Sequence, residues 1–502
     1  MDIKPTMSQF GFGHRDTRHI IIDHEGELWL AMAPVAEGGF LAMGATKLAG
    51  TFRAEPLENG KNVPFTYTAT ESQLELKTEK GTSVKIAIDK DAKALRIKGN
   101  SQFRLNGVES AMFVSTLAAA DGVTVSAGTN RYFISAKKGK ITFDDTWILA
   151  QFHSVTPVVD VEIEDGEFEL YVFELPNDTK PLPITKTLEE CVAENSTQFK
   201  NFIDTLVNIP TVYSDIKEKI AYPIWLCHRT LLTDNEVIVQ NKYNSAHTSS
   251  MLLAISSMAF KDAAKAVGML LEYPVELPPL AGIAVTRLID DSMLNDSRAE
   301  IFKVYSQLET LARWCQKERT IDPDDLCFYA YRYESAAKKS PEFFKAGDPT
   351  LAPDLNTYLI LVCDVLGRLA KMEYDDGMAK KWEKSAKSLT VKLIAELWDG
   401  ENFVGKNAYT EELSEPDSFL SLVPIMLGSR LPQEIISKLV NKIDDTAVNS
   451  AIGLLLTGGL FDAGEKDAAA ELVKRALDGV RAEGIMCPFY GASLLAMAHK
   501  VL

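Results

Sequence analysis

Apolar and polar residues alternate along the first third of the chain. Between residues 18 and 175, short runs such as HIIID, ELWLAMA, QLELKTE, SVKIAID, ALRIKG, RYFISAK, KITFDD, VVDVEIE and FELYVFEL repeat every second residue. That is the period at which one face of a strand is buried and the other solvated. Turn signals at Asn59-Gly60, Lys80-Gly81, Lys138-Gly139 and Asp165-Gly166 fall between them at hairpin spacing. The pattern predicts an antiparallel β-sandwich over residues 1–178 with almost no helix.

The period changes after Pro176-Asn177-Asp178. Pro181-Leu182-Pro183 reads as a linker, and Thr187 with Glu190 can box the start of a helix whose Val192, Phe199, Phe202 and Leu206 share one face. Residues 179–210 therefore read as a linker with a connecting helix, stopped by Pro210. Residues 211–502 are helical almost throughout, in segments 212–232, 245–259, 261–273, 279–290, 297–317, 354–374, 377–398, 417–428, 432–443, 448–459, 464–482 and 488–501. Short joints between them predict six helical hairpins, which must stack as a solenoid or close into a ring. The lack of a repeat at fixed period weighs against the solenoid.

The 502 residues are 46% hydrophobic, enough for a sizeable core, and carry a formal charge of −17. An isoelectric point of about 5.0 argues against nucleic acid or an anionic membrane as the main partner and suits a small neutral or cationic substrate. The N-terminus shows no apolar leader, and no apolar run approaches the roughly 18 residues of a membrane helix, so the expected location is cytoplasmic. Six scattered cysteines read as reduced thiols. No His, Cys or carboxylate cluster has ligand spacing, and neither a metal nor another cofactor is expected.

Candidate chemistry concentrates in residues 318–356, a connection far longer than the ~12–15 residues usual for a structureless loop. Tyr329, Tyr331 and Tyr333 recur every second residue, which in an extended segment places three rings on one side. Glu334, Lys338 and Lys339 follow. Rings to stack on sugar faces beside groups that move protons suggest a carbohydrate site; the same alternation also describes a half-buried tyrosine-rich strand. A second polar concentration, residues 225–250, holds Trp225, His228, Arg229, Asn241, Lys242, Asn244 and His247, read either as a wall of a sugar pocket or as helix capping plus a satisfied histidine. Pro353, Asp354 and Asn356 make a good helix start, and Asp354 and Asn356 could also point at a ligand. Of the later carboxylates, Glu411, Glu412, Glu415 and Asp417 share one joint, and Glu483 precedes Gly484 in the last one.

Several of these motifs carry a family resemblance. ESAAKKSPEF followed by APDLNTYL is similar to the ESGWDNSP and PDLN segments of inverting glycoside hydrolases, a group that includes mannosylglycerate hydrolase, trehalase and the processing α-glucosidases; ELWDGENF, EPDSFLSLVPIMLG and LPPLAGIAV resemble weaker segments of the same group. The resemblance covers most of residues 210–502 and implies a β-sandwich followed by an (α/α)6 toroid acting on O-glycosyl bonds of a small glycoside or oligosaccharide. There is a departure. The family's acid, the aspartate of ESGWDNS, is replaced by Lys338, its tryptophan by Ala337, and NSAHTSS stands where a tryptophan-rich segment is expected.

Three readings follow. Glu334 protonates the leaving oxygen while Glu483 activates water on the opposite face, with Trp225, Tyr331 and Tyr333 stacking and Arg229, Asn241, His247, Arg332, Lys338, Asp354 and Asn356 binding hydroxyls or an acidic substituent. Alternatively, Lys338, Arg332 and His247 bind an anionic group, turning the scaffold into a phosphorylase or a lyase with Tyr331 and His247 as base. In the third reading the chain binds sugar without cleaving it.

Overall fold

The computed structural model describes residues 1–32, 50–107, 114–127, 130–143, 147–148, 153–154, 157–175, 180–230, 237–239, 277–290, 298–322, 325–335, 343–373, 375–416, 419–443, 448–484 and 488–502. These fall into two units, Met1–Asp204 with Trp225–Gln240, and Thr205–Ile224 with Asn241–Leu502.

In the first unit the alternating runs become antiparallel strands in two large sheets. One sheet is ordered Phe12–Gly13, His19–His24, Glu27–Met32, Gly50–Glu58, Gln102–Gly107, Val158–Glu162 and Lys140–Phe143, with Lys61–Asn62 beside Gly50–Glu58. The other is ordered Val114–Ala119, Gly122–Ala127, Asn130–Lys138, Phe168–Glu174, Ala94–Gly99, Ser83–Asp89, Leu74–Thr78 and Phe65–Ala69. Alternate side chains from both meet in one core. Phe103 stacks on Phe168 at 5.7 Å between ring centroids, and Phe52 meets Tyr132 edge-on at 5.5 Å.

Helix α1 (Leu188–Thr205) starts at the expected box: the Thr187 amide donates to Glu190 Oε2 at 2.7 Å, and the Glu190 amide donates to Thr187 Oγ1 at 3.2 Å. Its Leu188 and Cys191 pack on Ala87, and Asn195 Nδ2 donates to the Ile88 carbonyl at 2.9 Å.

The second unit is helical. Helices α2 (Ser214–Cys227, whose last three residues, like the hairpin after them, belong to the first unit), α3 (Ala281–Asp290), α4 (Arg298–Glu318), α5 (Pro353–Met372), α6 (Asp376–Leu397), α7 (Gln433–Val440), α8 (Ala451–Asp462), α9 (Lys466–Glu483) and α10 (Pro488–Val501) lie within a few residues of the expected segments. Segment 417–428 is instead a 3-10 helix, Val423–Arg430, and segments 245–259 and 261–273 lie outside the described residues. Segment 212–232 is shorter than expected. Helix α2 stops at Cys227, and His228–Thr230 pairs with Val237–Val239 as a hairpin, because Val237, Ile238 and Val239 are β-branched.

The helices are of two kinds. In α5 fifteen of the twenty residues are buried, whereas α6 buries only the stripe Ala379, Trp382, Ala386, Leu389, Thr390, Leu393 and Leu397. An enclosed helix therefore pairs with an amphipathic one, each fully buried aliphatic side chain contributing ~1.5–3 kcal/mol. Helix α8 is also buried nearly all round, and Gly459 lets it touch backbone: a Cβ there would lie 2.1 Å from the Ile425 carbonyl oxygen.

Candidate active site

The long connection is held at several points. Phe328–Tyr329 pairs with Thr350–Leu351, which pairs with Lys406–Asn407, so both ends of the loop enter one small three-stranded sheet. Asn356, fully buried in the first turn of α5, accepts from the Cys327 amide at 2.8 Å through Oδ1 and donates through Nδ2 to the carbonyls of Cys327 and Ala352, both at 2.9 Å. Asp354 is equally buried, and its Oδ2 accepts from the Tyr329 hydroxyl at 2.9 Å. Burial, and then the charge of Asp354, pushes that hydroxyl well above the ordinary phenol range, so it stays a donor. At the turn before the strand, Lys392 reaches Asp325 Oδ1 at 2.5 Å.

Three tyrosines do not form one surface. The extended backbone breaks into a single 3-10 turn at Arg332–Glu334, so the period of two is lost after Tyr329. Tyr329 goes into the core, while Tyr331 and Tyr333 are 65% and 62% exposed. Arg332 lies over the Tyr333 ring at 5.0 Å and donates to its hydroxyl at 3.0 Å, giving an exposed aromatic and cationic tip on a rigid base.

Glu334 closes this turn. Its Oε2 accepts from the amides of Ala330 at 2.7 Å and Tyr331 at 3.4 Å, and its Oε1 accepts from Arg319 Nη2 at 2.6 Å. Arg319 follows the end of α4 and also covers the Trp314 ring at 4.9 Å. It was not singled out in the sequence, where its only signal is a cation just past a helix C-terminus. For Glu334 to protonate a leaving group, Oε1 must exchange Arg319 for the glycosidic oxygen.

Other expected residues stand as follows. Glu483 is the exposed last residue of α9, and Gly484 follows with φ of 82° and its amide donating to the Val480 carbonyl at 2.9 Å. Trp225 belongs to the first unit and is fully buried, 4.7 Å from His14 and 5.3 Å from Phe199 between ring centroids; it offers no face for a sugar, which corrects its assignment as a stacking wall. Asn356 is also corrected. Its Oδ1 and Nδ2 are committed to backbone groups, so it positions the loop and binds no hydroxyl. Arg229 stands opposite Ile238 in the hairpin. Asn241, His247 and Lys338 lie outside the described residues.

Cys191, Cys315, Cys327 and Cys363 are free, buried thiols; burial raises Cys315 to about 12 and Cys191 to about 11, which keeps both unreactive. Among the described residues no group of His, Cys, Asp and Glu could hold a metal ion, and no helix is long and apolar enough to cross a membrane.

Residues 243–457, which include the whole long loop, match the family described as mannosylglycerate hydrolase MGH1-like glycoside hydrolase domain. No protein of curated function matches the chain. Among solved structures the chain is similar to a bacterial glucoamylase complexed with acarbose, at 12% identity over 98% of this chain and 94% of the other, with a TM-score of 0.55. It is also similar to a family GH92 α-mannosidase from Bacteroides thetaiotaomicron in complex with mannoimidazole, at 9% identity over 98% and 83%, with a TM-score of 0.57. A family GH92 inverting mannosidase from the same organism matches at 10% identity over 99% and 85%, with a TM-score of 0.54. At these identities the likeness is one of fold: an N-terminal antiparallel β-sandwich followed by an (α/α)6 toroid.

Proposed function

We propose that the glycoside hydrolase domain of this chain cleaves a small glycoside or oligosaccharide by single displacement with inversion, in the cytoplasm. The observation that carries the reading is the family match over residues 243–457, within which the anchored loop presents Tyr331, Arg332 and Tyr333 to solvent beside a carboxylate. Tyr331 and Tyr333 supply apolar ring faces for a sugar, and Arg332 supplies donors for its hydroxyls. Glu334 is the proposed proton donor to the glycosidic oxygen and Glu483 the proposed base that takes a proton from water, which attacks the anomeric carbon from the opposite side as the leaving group departs. Inversion asks for a separation of about 6.5–9.5 Å between the two carboxyl groups in the substrate complex. Asp354 is proposed to support the site by holding Tyr329 beneath the loop, and Lys338 and His247 to meet an acidic substituent where the substrate carries one.

The Arg319 ion pair favours a second reading, in which Glu334 anchors the loop and the chain binds sugar without cleaving it. A proton NMR time course with a panel of short glycosides, run with and without inorganic phosphate, separates the two. Appearance of the inverted anomer without phosphate, with turnover lost in both Glu334→Gln and Glu483→Gln while both variants stay folded by circular dichroism, supports the hydrolase. Turnover retained in both variants removes these two residues from the chemistry. Saturable binding with no product across the panel supports the second reading.

A further inference from the structure

The sandwich holds a cleft of its own, of about 420 Å³. Where Glu27–Met32 runs beside Gly50–Glu58, Trp29 stands opposite Arg53; on the other side of that strand Asn106 stands opposite Arg53. Alternation sends Leu28, Ala54 and Leu105 into the core and leaves Glu27, Arg53 and Glu55 on the other face, where they line the cleft with Asn62, Pro64 and Phe65.

The polar groups there are tightly fixed. Arg53 donates from Nε to Glu55 Oε1 at 2.5 Å and from Nη1 to Glu27 Oε1 at 2.9 Å. Asn106 Nδ2 donates to Glu55 Oε1 at 3.1 Å, and Trp29 Nε1 donates to Glu27 Oε2 at 3.2 Å. Glu55 is only 3% exposed, yet all its bonds fall on one oxygen. Among the described residues, Oε2 of Glu55 and Nη2 of Arg53 have no partner. Oε2 still reaches solvent through the cleft. A carboxylate held in place by its other oxygen, whose arginine partner also keeps one nitrogen free to bond, is a preorganised acceptor and donor.

That pair matches two neighbouring hydroxyls, one donating to Glu55 Oε2 and the other accepting from Arg53 Nη2. Half-buried Phe65 and exposed Pro64 supply an apolar wall for the C–H face of a ring. A cation is disfavoured by the guanidinium in the same cleft. We propose that this cleft is a second carbohydrate-binding site that takes the vicinal diol of a neutral sugar and uses no residue of the loop at 318–356. The diol chemistry comes from the cleft itself; that the diol belongs to a sugar rests on the glycosidase reading above.

The test uses the full chain labelled with 5-fluorotryptophan, the Trp29 resonance being assigned by its loss in Trp29→Phe. Methyl α-D-mannopyranoside, methyl α-D-glucopyranoside, glycerol and tetramethylammonium chloride are titrated in turn. The expected result is a saturable shift of the Trp29 resonance with a glycoside, its midpoint raised about tenfold or more in Arg53→Met and Asn62→Ala, as expected for losing one hydrogen bond to a charged group or its neighbour. Asn62 is exposed, so its variant tests the site without disturbing the core. A resonance that does not move with any glycoside, moves equally in both variants, or moves only with tetramethylammonium overturns the proposal. Glu334→Gln is expected to abolish turnover and leave the Trp29 shift, so failure of one reading is visible apart from failure of the other.

Discussion

Replacing Asn356 with alanine removes the clasp on the candidate loop, and its cost can be worked from three hydrogen bonds. The amide and carbonyl of Cys327 both lose their Asn356 partner in a fully buried setting, whereas the Ala352 carbonyl keeps its bond from the Asn356 amide at 3.3 Å. Each buried backbone group left unpaired costs ~1–3 kcal/mol, so Asn356→Ala is expected to ease local opening by about 4 kcal/mol. Every 1.4 kcal/mol is tenfold, so the Cys327 amide exchanges its hydrogen about 10³-fold faster, read by mass spectrometry on peptides spanning residues 325–335. Asn356→Asp sharpens the case. It keeps an acceptor for the Cys327 amide but turns an acceptor towards two carbonyls, so it is at least as damaging at pH 7. That damage lessens as pH falls, because protonation of the new carboxylate restores one donor. Exchange at Cys327 less than tenfold faster in Asn356→Ala, or an Asn356→Asp protein as protected as the parent at pH 7, refutes the clasp.

Removing Arg319 (to Met) and Glu334 (to Gln) singly and together gives a coupling energy of about 1 kcal/mol for a pair 2.6 Å apart with both side chains 21% exposed; a value near zero means that the ion pair does not hold the turn. His14 is fully buried, with its Nδ1 accepting from the Asp16 amide at 3.1 Å, and burial lowers its pKa from 6.5 to about 4. The unfolded chain therefore binds the proton first, and stability falls as pH drops from 6.5 towards 4 by up to about 3 kcal/mol, a slope in melting temperature that His14→Gln should flatten. Two glycines should respond oppositely in thermal unfolding. Gly459→Ala drives a methyl into the Ile425 carbonyl and costs about 3 kcal/mol, whereas Gly479→Ala meets nothing within 4 Å in α9 and stabilises by up to about 1 kcal/mol.

Local chemistry was legible in the sequence wherever partners lie close along the chain. Thr187 and Glu190 box α1 because they stand three residues apart, and the strands follow from alternation that needs no distant partner. The turn at Glu483 and Gly484 was visible for the same reason. Contacts made across sequence were not. Asn356 holds Cys327 from 29 residues away and Glu334 meets Arg319 from 15, and nothing in either segment announces the other. A helix-start motif thus concealed a clasp that no capping rule describes, since the N-cap of α5 is Ala352. The tyrosine alternation misled because one 3-10 turn resets which side each ring faces. At His228–Thr230 β-branched residues nine positions downstream override helical period.

The division between α5, enclosed on nearly every side, and α6, buried along one stripe, also sets how freely the chain can change. Drift in α6 has whole exposed flanks to sample, while almost every position of α5 answers to a neighbour on another element. Random libraries built on this protein would therefore spend most of their losses in the enclosed helices. Fluorophores, tags and crystal-contact substitutions belong on the outward flank of α6 or α9, and efforts to retune the candidate site are best confined to the exposed tip at Tyr331 and Tyr333, leaving its buried supports untouched.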